Sequence, residues 1–342
     1  MLQPVLTRSS ILNHQSATPL LQGLLAVVLF SLTVPMTKIA MNEFSTQFIA
    51  ASRGFIAGSL CLMVVIWQGW KFPSLKECGW LLLSGLGVVV AFPYLLSVTL
   101  QSVSASNMGI ILAGLPLATS LMAVLLLGER YRLGFWVCAL AGAGVLMLYF
   151  SQSDAAALPG DIDSLPGLFL LALCTLAFGG MGYAAGTRAA KSLGGWPTIC
   201  WMLVLYLPLT ALAFGYFSYE QFGYKEFGYD QFAIETLATD PSLIINENQN
   251  LFAFASTSLA KGQLKAWLSI MYLALVSQWW GFRFLYNAMA QAGAGTVGQI
   301  QLLQPFFTLV FCALLLAEPL YFSQFSFLIL IIFLVAGAIR YK

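Results

Sequence analysis

The sequence predicts an all-α polytopic membrane protein whose ten transmembrane helices form two inverted five-helix repeats, and three observations carry that fold class. First, 60% of the 342 residues are hydrophobic and only 8% are charged, with a mean hydropathy of +0.85. That is more apolar side chain than a soluble core of this length can bury. Second, apolar runs near the roughly 20 residues that cross a bilayer as a helix recur ten times. Third, segment 105–129 (ASNMGIILAGLPLATSLMAVLLLGE) returns as segment 294–318 (AGTVGQIQLLQPFFTLVFCALLLAE). An offset of 189 pairs Ala105 with Ala294, Gly109 with Gly298, Ile111 with Ile300, Pro116 with Pro305, Thr119 with Thr308 and Glu129 with Glu318. Five spans per copy is an odd number, so the second copy enters from the opposite side, and equivalent residues are related by an axis in the membrane plane.

Residues 1–19 read as a cytoplasmic N-terminus. The first span, 20–37, contains Pro35, is long for a signal-peptide core and has no small-residue cleavage site after it, so it is read as retained. The second, 47–67, carries Arg53 and the close-packing pair Gly54 and Gly58. The third, 80–100, holds Pro93 and Tyr94. The fourth, 107–127, begins with Asn107, is interrupted by Pro116 and ends on Gly128 and Glu129; the fifth, 133–150, completes the first repeat at 20–150. Segment 151–165 is short and acidic, with Pro159 and Gly160, and reads as an external linker.

The second repeat, 166–342, places spans at 166–187 (with Gly182 and Gly186), 196–217, 266–289, 296–317 and 320–339. Between its second and third spans lies an external insertion, 218–265, with a five-residue repeat: EQFGY, KEFGY, DQFAI. Charge, Gly and Tyr in that mixture suit an interfacial loop. It reads as a tolerated insertion, or else as a lid or partner contact.

Orientation follows from the excess of Lys and Arg in cytoplasmic loops. With both termini inside, Arg8, Lys71, Lys76, Arg130, Arg132, Arg188, Lys191, Arg340 and Lys342 are cytoplasmic, against Lys38, Lys225, Lys261 and Lys265 outside. Of the six cysteines, Cys61, Cys138, Cys174, Cys200 and Cys312 fall inside spans and Cys78 in a cytoplasmic loop, which is not a disulfide framework.

Polar groups in hydrocarbon need a partner or a wet cavity, so they mark candidate sites. Gln301, Gln304 and Thr308 share one helical face of the ninth span, and Pro305 cannot donate to the Gln301 carbonyl. They could contact a polar solute or bond to a neighbouring helix. Trp279, Arg283, Tyr286 and Asn287 form a second stripe on the eighth span. Arg283 and Arg53 could bind a carboxylate bidentately, or each could snorkel toward the headgroups of its own side. No Asp or Glu sits in the middle of any span, which disfavours a pump for cations and favours cargo with a carboxylate.

The paired segments, with a mid-span Pro followed by aliphatic residues and then Gly128-Glu129 or Ala317-Glu318, resemble those of the drug/metabolite transporter superfamily, in particular its ten-span members with two EamA-type domains. The likeness covers about 20–340 and includes Arg53; the long insertion and Ala317 in place of the more usual Gly depart from the pattern. The resemblance implies a bacterial inner-membrane secondary transporter whose central cavity is lined mainly by spans one, three, four, six, eight and nine. Export of amino acids or related carboxylate-bearing metabolites is the leading expectation, with contacts from Gln301, Gln304, Thr308, Arg283, Asn287, Trp279, Tyr286, Tyr94 and Asn107. Efflux of aromatic or cationic compounds is the alternative, supported by 14% aromatic content. The single histidine, His14, precedes the spans, and no metal motif, phosphate loop or carboxylate pair appears, so neither catalysis nor a cofactor or metal is expected. A sensor or scaffold built around the insertion is the remaining reading. Expected partners are the bilayer and a small-molecule substrate, without nucleic acid, in a monomer or a homodimer.

Overall fold

A computed structural model describes residues 17–128, 130, 132–152, 165–223, 262–292 and 294–340. Glu129, most of the expected N-terminus, the linker residues 153–164 and the insertion residues 224–261 lie outside the described residues.

The described residues are helical, with no strand among them, and group into ten rods. We label these α1 (Ala17–Ser31 and Thr33–Ala40), α2 (Thr46–Gln68), α3 (Leu75–Gly85, Leu86–Ala91 and Phe92–Ser102), α4 (Ala105–Leu112 and Leu115–Leu127) and α5 (Leu133–Gln152). The second set is α6 (Leu165–Leu193), α7 (Gly195–Ser218), α8 (262–271, Tyr272–Gly281 and Phe282–Ala292), α9 (Ala294–Gln301 and Gln304–Leu316) and α10 (Phe322–Arg340). Six of them, α1 to α4, α6 and α7, are long and apolar enough to cross a membrane, while α5, α9 and α10 carry shorter apolar stretches. The chain is a multi-pass membrane protein.

Local chemistry sets the boundaries. Ser45 and Ser104 cap α2 and α4 by accepting from the N–H groups of Phe48 and Asn107, and Ser74 with Glu77 forms a capping box at the start of α3. Gly69 and Gly128 end α2 and α4 in the left-handed region. The breaks in α4 and α9 fall at 113–114 and 302–303, just before Pro116 and Pro305. Each Pro removes one donor and frees a carbonyl one turn earlier, at Leu112 and Gln301. Within α1 the helix restarts at Thr33, two residues before Pro35.

Two further irregularities obey the same offset of 189. In α3, Leu86–Ala91 winds as π-helix ahead of Pro93, and in α8 Tyr272–Gly281 does so, spanning the equivalents of 86–91 at 275–280. π-helical turns inside α-helices are frequent at functional sites.

Packing between the halves is reciprocal. α2 lies against α7 and α5 against α10; α3 and α4 pack on α6, while α8 and α9 pack on α1. Small residues permit the closest approaches: a Cβ built on Gly87 of α3 would lie 2.7 Å from the backbone N of Gly182 in α6, and one on Gly180 would lie 2.5 Å from the carbonyl carbon of Ala118 in α4. Gly54 faces Thr210 and Gly58 faces the Leu203 carbonyl, so both serve the α2–α7 contact, while Gly186 makes room for the Tyr286 ring. At the end where α1 stops and α2 begins, Phe44 and Phe48 pack with Phe222 and Trp267 in an aromatic plug. The first residues of the insertion are tied there, because Gln221 accepts from Ser45 N and donates to Glu43 O.

Candidate functional site: a buried cavity at the crossing of two π segments

A cavity of about 20 Å³ lies inside the bundle, room for about one water. Phe30 and Thr33 of α1, Arg53 of α2, Val88, Phe92 and Leu96 of α3 and Leu112 of α4 line it, with Tyr183 of α6, Ser277 and Phe282 of α8 and Gln304 of α9. Both π segments therefore reach it, through Val88 and Ser277, which are equivalent under the 189 offset.

Arg53 dominates its electrostatics. The side chain is only 3% exposed, so it does not snorkel outward. Its Nη2 donates to Oε1 of Gln278 at 2.6 Å, and Nε has no hydrogen-bond partner. Gln278, fully buried on the α8 π segment, donates through Nε2 to the Val88 carbonyl on the α3 π segment at 2.9 Å. No described carboxylate forms an ion pair with Arg53; the titratable neighbour is the phenol of Tyr183. A guanidinium out of water with a neutral amide as its hydrogen-bonding side-chain partner is an uncompensated charge. The rest of the wall is neutral, and two of its groups are paired with each other: Thr33 Oγ1 and Ser277 Oγ are 2.8 Å apart, while the Gln304 carbonyl accepts from Ser31 Oγ at 3.1 Å.

Of the residues singled out in sequence, Gln304 lines this cavity. Gln301 is buried at the break in α9 with Nε2 unpartnered. The Thr308 hydroxyl donates back to the Gln304 carbonyl at 3.0 Å, as that of Thr119 does to Leu115 at 2.9 Å, so both serve their own helix. The remaining candidates lie elsewhere. Arg283 is sandwiched between Trp196 (3.8 Å to the ring centroid) and Trp280 (4.7 Å), with Trp279 packed on Trp280. Asn287 Oδ1 accepts from Gly195 N at 3.0 Å and caps α7. Tyr286 is a buried strut, its hydroxyl 3.2 Å from Ser84 Oγ and 3.3 Å from the Gly182 carbonyl.

Tyr94 opens instead into a separate pocket of about 250 Å³ between α2, α3 and α7, beside Gln47 and Thr210. Asn107 Oδ1 accepts from Tyr149 at 2.5 Å and from Gln324 at 3.1 Å, tying α4 to α5 and α10. Gly128 and Ala317 hold equivalent left-handed positions, φ 69° and 53°. Gln278, Ser277 and Thr33 were not singled out in sequence. The rule that drew attention to Gln301, an amide in the middle of an apolar span, applies equally to Gln278.

Comparison with known proteins follows the same line as the architecture. Residues 17–151 and 243–340 match the model of the EamA-like transporter family. The chain is 31% identical over 323 residues to the "Uncharacterized transporter YdeK" of Bacillus subtilis (strain 168), covering 94% of this chain and 96% of that one. A solved structure described only as "Crystal structure of protein" superposes at a TM-score of 0.55 and 16% identity over 97% of each chain, which shows a shared fold. The family match covers more than half of the chain and the relative is similar end to end, so the chain belongs to the EamA-like transporter family, a family of membrane transporters rather than enzymes.

Proposed function

We propose that the protein is an alternating-access secondary carrier that exports small carboxylate-bearing metabolites, amino acids foremost, across the bacterial inner (plasma) membrane. The observation that carries this reading is Arg53: a buried guanidinium in the central cavity, with an orphan Nε–H and no described acidic partner. Intramembrane charges are costly and normally paired, and a carboxylate on the solute supplies the missing charge in a geometry that guanidinium binds bidentately. Gln304, with its buried neighbour Gln301, adds neutral polar groups at the break in α9. Broken helices of this type line binding sites in secondary transporters.

The ten rods are read as ten spans in two inverted repeats with both termini cytoplasmic. Support comes from the 189 offset, which relates the helix breaks, the π segments and the left-handed helix ends, and from the reciprocal packing of the halves. A cavity of about 20 Å³ cannot hold even a small amino acid, so loading requires helix movement. Efflux of cations is disfavoured by the fixed positive charge at the cavity wall.

The test is solute counterflow: proteoliposomes loaded with one of a panel of L-amino acids, lactate or succinate, followed for entry of the labelled form. Saturable exchange of a carboxylate-bearing member supports the reading. Exchange confined to aromatic or cationic compounds refutes it.

A further inference from the structure

One end of the bundle carries two ties between helices. Where α4 begins, Oε1 of Glu318 accepts from the Ala105 N–H at 2.9 Å and Oε2 from the Ser106 N–H at 2.8 Å. These are two of the amide donors that a helix start leaves without an intrahelical acceptor, and the positive end of the helix dipole favours a carboxylate there. The clamp joins positions 213 and 212 residues apart, one in each half of the sequence.

A second, independent feature lies beside it. Ala317, which leads into Glu318, is the one non-glycine residue with positive φ among the described residues, whereas the equivalent position is Gly128. Left-handed backbone strains any residue with a Cβ, and strain of this kind persists at switch regions. The Lys38 ammonium donates to the Leu100 carbonyl at 2.7 Å, within Coulombic reach of Glu318. Together these contacts close α1, α3, α4 and α9 onto one another.

Among the described residues, the opposite end shows no counterpart of the Lys38 tie. An offset of 150 pairs Thr33, Thr37 and Lys38 of α1 with Tyr183, Thr187 and Arg188 of α6. The two threonines make the same local bond: Thr37 Oγ1 donates to the Thr33 carbonyl at 2.7 Å and Thr187 Oγ1 to the Tyr183 carbonyl at 2.8 Å. Yet Arg188 is exposed and makes no hydrogen bond among the described residues, while Lys38 is held.

We propose that Glu318 is a gating residue of the transport cycle: its grip on the Ala105 and Ser106 amides holds one mouth of the carrier shut, and its release opens the route to the cavity from that side. The assignment rests on the carrier reading above, in which this face is external.

The experiment needs no substrate. Ser277, on the cavity wall, is replaced by Cys, and its modification by a membrane-impermeant sulfonated maleimide is followed by peptide mass spectrometry, in intact cells and in inside-out vesicles. With Glu318 intact, external labelling is slow. Glu318→Gln, which keeps one acceptor oxygen in place of two and loses the charge, raises the external rate at least about tenfold, the factor that one charge-assisted hydrogen bond supplies.

Ala105→Pro provides a second variant, because Pro is favoured at the first helical position and deletes one of the two donors. It raises the external rate in the same direction. External labelling that is already fast with Glu318 intact overturns the proposal. So does an external rate unchanged in both variants when they elute as folded protein, and so does a rise confined to the opposite face. Failure here leaves the carrier reading standing, and silence in counterflow with altered labelling would fall on the carrier reading alone.

Discussion

The Arg53 guanidinium donates to Gln278 Oε1 at 2.6 Å, and the same glutamine amide donates to the Val88 carbonyl at 2.9 Å, so one side chain holds both the cavity's charge and the other π segment. A solute carboxylate that takes the guanidinium competes with Gln278 for it. Loading the site then loosens the tie between α2 and α8, which links binding to the helices that must move.

Arg53→Gln keeps a donor for Gln278 and removes the buried charge. Removing an uncompensated ion from the interior is expected to stabilise the protein by about 1–3 kcal/mol, read as a raised thermal midpoint in detergent, while exchange of carboxylate-bearing solutes is lost. Functional sites commonly cost stability in this way. A lowered midpoint in a folded variant would show that Arg53 is structural.

Gln278→Glu places a carboxylate against Arg53 from within the chain. The internal ion pair occupies the guanidinium, so the half-saturation concentration for an exchanged carboxylate rises at least about tenfold, as expected when one charge-assisted bond must be displaced. An unchanged half-saturation value in counterflow would remove Gln278 from the binding step.

Ala317→Gly relieves a left-handed alanine and is expected to stabilise by about 1 kcal/mol; Gly128→Ala imposes the same strain at the equivalent position and destabilises by a similar amount. Paired thermal unfolding measurements check both signs. Equal midpoints for Ala317→Gly and the parent protein would mean that the φ of 53° costs nothing here.

Asn287→Ala removes the side-chain acceptor from the start of α7 and is expected to cost about 1 kcal/mol of stability. The half-saturation value in counterflow stays where it was. A shift of that value at normal expression would return Asn287 to the substrate site.

Much of the framework was legible in the sequence. The helix breaks and the left-handed ends follow from Pro116, Pro305, Gly128 and the position of Ala317, because proline and positive φ act locally and leave a mark in the residue itself. The site was less legible. Arg53 in an apolar span was visible as a question, but its burial depends on α8 supplying Gln278, a contact across 225 residues. Arg283 and Asn287 looked alike as polar residues on one stripe, yet one is absorbed between two indoles and the other by a helix cap. The π segments carry no residue signature: Pro93 stands at the end of one, but its equivalent in the other is Phe282. What the residues alone could not convey is which polar groups find a partner once the halves are packed together.

The central claim is that Arg53 carries the solute's negative charge, and counterflow across an Arg53 series tests it most directly. Proteoliposomes containing the parent protein, Arg53→Lys or Arg53→Gln are compared for saturable exchange across the panel of L-amino acids, lactate and succinate. The account predicts exchange by the parent, a weakened response with Lys, which keeps the charge but not the planar fork, and none with Gln. Full exchange by Arg53→Gln would contradict it.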